Sequence, residues 1–135
     1  MFQKEVAERI VAAPSSDQYG RLAVLTASVC ESHIAFTLPP GAFSPPPKVD
    51  SAVAVLSALP ADQQFEHVRV LEAVAASAFG QRRKMLRASL KSIAKTNGIS
   101  AADWLDACQI DPTERPENLT QAEFRSLAGY LVRKS

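Results

Sequence analysis

Pro39-Pro40-Gly41-Ala42-Phe43-Ser44-Pro45-Pro46-Pro47 places five prolines in nine residues, and no other feature of the chain constrains its fold as strongly. Proline is excluded from helix interiors and lacks the backbone donor that a central strand needs. The run is therefore a connector, and the elements on its two sides must form separately. Before it, Phe2, Val6, Ile10 and Val11 recur at helical spacing until Pro14-Ser15-Ser16-Asp17 breaks the pattern. Arg21 to Cys30 is a second apolar stretch that suits either helix or strand. His33 to Leu38, with Phe36 and Thr37, reads as a short strand. Beyond the prolines, Val49 to Leu56, with valines at 49, 53 and 55, reads as a strand buried on both faces. The first part of the chain is thus α/β.

Leu59 to Gln64 forms a junction, and the sequence after it is helical. Val70, Leu71, Val74, Ala75, Ala78 and Phe79 line one helix face. The spacing predicts a further helix from about Gln81 to Thr96, closed by Asn97-Gly98. Ser100 and Asp103 form a capping box, with Ile99 and Trp104 as its hydrophobic staple. Thr120 and Glu123 repeat the box, with Leu119 facing Phe124.

A length of 135 residues and an apolar fraction of 47% suit one globular unit. No apolar run approaches the roughly 20 residues that span a bilayer. The opening residues are charged and amphipathic, unlike a signal peptide. These features predict a soluble cytoplasmic protein with no membrane partner. Cys30 and Cys108 lack any CxxC or Cys/His spacing and read as small buried thiols. His33 and His67 are isolated, so no metal site is expected.

The net charge of +1 conceals a segregation. Between Ala73 and Ala102 there is no acidic residue, while Arg82, Arg83, Lys84, Arg87, Lys91 and Lys95 all fall there. On a helical wheel of about 100° per residue, Lys84, Arg87, Lys91 and Lys95 share an arc opposite Leu86, Leu90 and Ile93. A solvated face normally mixes signs and gains i,i+4 pairs, whereas this one repels itself. Cations near a helix start also cost about 0.3–1 kcal/mol each. A face that accepts both costs suits an anionic partner, and phosphate is the obvious one. By itself, the proline loop is either a stiff connector that buries Phe43 or a ligand for an aromatic groove.

Five segments occur in order: Gln3-Lys4-Glu5-Val6-Ala7-Glu8-Arg9, Tyr19-Gly20-Arg21-Leu22, Phe43 through Ser51, Phe79-Gly80-Gln81-Arg82-Arg83-Lys84, and Arg115-Pro116-Glu117-Asn118-Leu119. Together they resemble the bacterial family of ribosomal small-subunit RNA adenine N6,N6-dimethyltransferases, which modify two adjacent adenines. The resemblance covers essentially the whole chain, and FxPPPKVDS with FxQRRK is its specific part. It implies the C-terminal half of such an enzyme, an α+β fragment. The last two helices and two strands of a Rossmann-like methyltransferase domain, residues 1–59, would precede a small all-α RNA-binding domain, residues 60–135. Its last strand would insert antiparallel into an otherwise parallel sheet.

The resemblance makes Phe43 the aromatic that stacks on the extruded target adenine, whose amino group cannot be reached inside a base stack. It makes Arg82, Arg83 and Lys84 a ribosomal RNA contact, to which the charge pattern adds Arg87, Lys91 and Lys95. The implied partner is small-subunit ribosomal RNA or the immature small subunit. The implied cofactor of the whole enzyme is S-adenosylmethionine. The family's glycine-rich donor loop, the acidic residue for the donor ribose and the Asn-Leu-Pro-Tyr element have no counterpart here. The five glycines, at 20, 41, 80, 98 and 129, form no GxGxxG. The chain is therefore expected to hold RNA, bind no donor and be inactive alone. The alternatives are a stand-alone RNA-binding module or a helical protein-interaction module, both without chemistry.

Overall fold

Phe2–Gln3 form a short strand, β1, that leads directly into helix α1, Lys4–Val11, in the computed structural model, which describes residues 1–134. Helix α1 buries Ala7 and Ile10 and carries an exposed Glu5–Arg9 ion pair at 2.7 Å, one turn apart. The ambiguous second stretch resolves as helix α2, Arg21–Ala27. It ends at Ser28, whose hydroxyl donates back to the Leu25 carbonyl at 2.6 Å. Strand β2, Cys30–Leu38, follows, and the proline loop returns the chain into strand β3, Ser51–Ala58.

The sheet order is β1-β3-β2, antiparallel at both pairings. Strand β2 runs along all of β3, from Cys30 opposite Ala58 to Leu38 opposite Ser51, with a bulge between Ile34 and Phe36. Strand β1 reaches only Ser51 and Ala52. This arrangement corrects the expectation of a Val49–Leu56 strand buried on both faces. Ser51 and Ala52 are buried, but Val49, Val55 and Leu56 are exposed by 48%, 37% and 43%. Beyond Ala52 the strand has one neighbour instead of two, and its apolar side chains meet solvent.

Helix α3, Val68–Gly80, buries Leu71, Val74, Ala75 and Ala78, the face expected from the sequence. Short helices α4, Leu86–Ser89, α5, Lys91–Thr96, and α6, Ala101–Ala107, lead to α7, Gln121–Lys134. Trp104, Leu105, Leu119, Phe124 and Leu127 are fully enclosed, and each large side chain so buried contributes about 1.5–3 kcal/mol. The Trp104 indole N–H donates to the Leu127 carbonyl at 3.1 Å, so its burial leaves no unpaired donor.

The core does not divide as expected. Tyr19, Ala23 and Val24 from the first part belong to the same buried cluster as α3, α6 and α7. Arg125 of α7 reinforces this by donating to the Ser28 carbonyl at 3.0 Å and the Gln63 carbonyl at 3.1 Å. A sheet remnant followed by an independent all-α unit would keep these contacts apart; here α2 packs into the helical core itself. The thiols also differ from expectation, since Cys30 and Cys108 are half-buried and free.

Candidate RNA interface

Helix α3 ends at Gly80, and the chain turns through Gln81–Lys84, closed by the Lys84 N–H on the Gln81 carbonyl at 2.9 Å. Met85 is extended, and α4 begins only after it. A continuous helix from Gln81 to Thr96 is therefore replaced by a turn and two short helices. The cause lies far along the chain. The Leu86 and Arg87 N–H groups donate to the carbonyls of Glu114 and Pro112, at 2.8 and 3.1 Å, so the helix start is fixed there. Arg82, Arg83 and Lys84 lie in the turn instead of a first helical turn, and the dipole cost expected for them does not arise.

The rest of the basic pattern survives the break. Leu90, with φ −94° and ψ 1°, marks a bend between α4 and α5. The Leu90 and Ala94 N–H groups still donate to carbonyls four residues back, which keeps the periodicity. Leu86, Leu90 and Ala94 are buried, while Arg87, Lys91 and Lys95 are exposed. Those three cations share a groove of about 640 Å³ with Gly98, Ser100 and Ala102. Successive members stand about 6 Å apart along the axis, from four residues at 1.5 Å each. The ion pairs among the described residues are Glu5–Arg9 and Arg21–Glu72, so Arg83, Lys84, Arg87, Lys91 and Lys95 have no acidic partner there.

Arg82 differs from its neighbours. Its side chain is half-buried, Nη2 donates to the Tyr19 carbonyl, and the guanidinium lies 5.4 Å from the centre of the Phe79 ring. Tyr19 meets Phe79 edge-on at 5.8 Å, and Phe79 stacks on Phe124 at 5.7 Å. Sequence reasoning missed this ring cluster as part of the site. Tyr19 and Phe79 both stood in the segments that carried the resemblance, but nothing local showed that they meet. Burial first, and then the Glu123 charge, push the Tyr19 phenol up to about 12. Phe43 is half-buried in the loop between β2 and β3 and does not line the groove of Arg87, Lys91 and Lys95. Phe43 and these cations thus occupy different parts of the surface.

The family described as ribosomal RNA adenine dimethylase matches residues 1–132. The chain belongs to that family. Ribosomal RNA small subunit methyltransferase A of Maricaulis maris is 51% identical over 128 residues, covering 95% of this chain and 44% of the relative. The Dinoroseobacter shibae protein of the same name is 56% identical over 132 residues, covering 98% and 46%. The chain therefore spans about half the length of the curated relatives it matches. A dimethyladenosine transferase from Plasmodium falciparum superposes on 98% of this chain and 56% of its own, with a TM-score of 0.78 at 23% identity. A 23S rRNA methyltransferase, ErmE, covers 96% of this chain and 52% of its own, at 0.59 and 21%. These two likenesses concern the fold. They correct the expectation of a C-terminal fragment split into a sheet remnant and a separate all-α domain. The family match begins at residue 1 and runs through residue 132, and the two solved structures cover 98% and 96% of this chain, both parts included.

Proposed function

We propose that this chain holds small-subunit ribosomal RNA for the dimethylation of adenine N6 at two adjacent adenines, a cytoplasmic step in maturation of the small ribosomal subunit. Phe43 stacks on the extruded target base, and the cations from Arg83 to Lys95 hold the backbone. S-adenosylmethionine is the methyl donor of the reaction, but the residues present do not fit it. No strand among the described residues runs through a glycine turn into an α-helix; β2 leads through Gly41 to the proline loop and β3 instead. Gly98, the one glycine with positive φ, follows α5 and turns the chain toward α6. The contribution of this chain is therefore RNA positioning, and no methyl-transfer step is assigned to its side chains.

The observation that carries the reading is the array of Arg83, Lys84, Arg87, Lys91 and Lys95, exposed and without acidic partners among the described residues. Such an array binds phosphates with release of counterions. Binding of a structured RNA should weaken with salt at a log–log slope of roughly −3 to −4, as expected for about four neutralised phosphates. Replacing Arg83, Lys84 and Arg87 together by alanine should flatten that slope by about one unit per lost contact. An unchanged affinity and slope in the triple variant would mean a merely solvated face, and would leave the protein-interaction reading in its place.

A further inference from the structure

We infer that Arg82 is a positioning residue for the RNA contact and not one of the cations that touch phosphate, an inference that rests on the RNA reading above. Three consecutive basic residues look equivalent in sequence, but the structure separates them. Arg83 and Lys84 project into solvent, whereas the Arg82 side chain turns inward. Its Nη2 donates to the Tyr19 carbonyl, its guanidinium carbon lies 5.4 Å from the centre of the Phe79 ring, and its Nε is enclosed without a hydrogen-bond partner. With Nη2 on a carbonyl and Nε enclosed, the Nε–Nη2 edge that grips a phosphate bidentately is not open.

The anchors themselves are fixed. The Tyr19 hydroxyl donates to the Leu119 carbonyl at 2.8 Å, across 100 residues of chain. Phe79 stacks on Phe124, which lies in the first turn of α7 and is completely buried. Arg82 thereby ties the Gln81–Lys84 turn to the loop before α2 and to the start of α7. The next two residues of the turn are the exposed cations Arg83 and Lys84. Holding that turn in one conformation before RNA arrives removes an ordering cost from binding. An interior tether thus sets the direction in which the exposed cations point.

The test measures affinity of the 135-residue chain for an RNA hairpin across a salt series, with thermal melting of each variant. Arg82→Met and Phe79→Leu are each expected to weaken binding several-fold at fixed salt while keeping the log–log slope. Phe79 bears no charge, so its effect cannot come from a lost phosphate contact. The double variant should bind no more weakly than either single one, because both break one tether. Arg83→Ala should instead lower the slope by about one. A slope reduced by about one in Arg82→Met would make Arg82 a phosphate contact and overturn the inference. Unchanged affinity with a lowered melting temperature would overturn it too, leaving a role in stability alone. Should Arg82→Met fail to fold, Arg82→Lys keeps the charge but loses the flat face, and full retention of affinity there would be equally fatal. A parent chain that binds no RNA would overturn the RNA reading together with this inference, whereas the other adverse outcomes leave that reading intact.

Discussion

Tyr19 sits in the loop before α2, yet its hydroxyl reaches Leu119, its carbonyl receives Arg82, and its ring meets Phe79 edge-on. Nothing in the local sequence announces these contacts, because every partner lies at least sixty residues away. Burial, followed by the charge on Glu123, raises the phenol to about 12, whereas an unfolded tyrosine titrates near 10. Between those values the folded chain retains a proton that the unfolded chain has lost. Stability therefore falls as pH rises from about 10 to about 12, and the contribution is fully present below 10. Tyr19→Phe should remove that alkaline loss. At neutral pH it should cost about 0.5–1.5 kcal/mol for the missing hydrogen bond, plus the penalty of a buried carbonyl left unpaired. Urea denaturation of both proteins between pH 7 and pH 11 checks this. An equally steep alkaline decline in the variant would mean that another group causes it.

At the scale of elements, the sequence was legible where the signals were local. Thr120 accepts from the Glu123 N–H at 3.2 Å, and the Glu123 carboxylate accepts from the Thr120 N–H at 3.0 Å, completing the expected box. Ser100 accepts from the Asp103 N–H at 3.3 Å, giving one side of the other. Gly98 ends α5 with φ +71°, and the following Ile99 N–H returns to the Ala94 carbonyl at 3.0 Å. The break at Gln81–Met85 was not legible, since carbonyls of Pro112 and Glu114 decide where α4 starts. Gly98→Ala should destabilise the chain by about 1–2 kcal/mol, the cost of a left-handed conformation with a Cβ. Apart from its chain neighbours no atom lies within 4 Å of the added carbon, so backbone strain is responsible. Gly98→Asn should recover part of that loss, and equal unfolding midpoints for Gly98→Ala and the parent would contradict the assignment.

For the whole molecule, charge segregation was visible in the sequence and remains in the fold, but the extent of burial was misread in the sheet. A continuous apolar run such as Ala52-Val53-Ala54-Val55-Leu56 usually marks a strand covered on both faces. Here the large apolar contacts belong to the helices, with Leu71 and Val74 of α3 against Phe124 and Leu127 of α7, all fully enclosed. Among the described residues the far half of β3 pairs with β2 alone, and Val55, Leu56 and, on β2, Phe36 remain exposed. Local opening is governed by how much packing must be lost to free an amide. Exchange in α3 and α7 must break into the common core, whereas freeing Val55 to Ala58 separates one strand from one neighbour. Hydrogen exchange should accordingly be slowest in α3 and α7, intermediate at Ser51 and Ala52 between two strands, and fastest within the sheet from Val55 to Ala58. Protection across all of β3 equal to that of α3 would show that the sheet opens only with the core. The same result confined to concentrated samples would point instead to pairing between copies along the open edge of β3, where an unpaired apolar strand favours association.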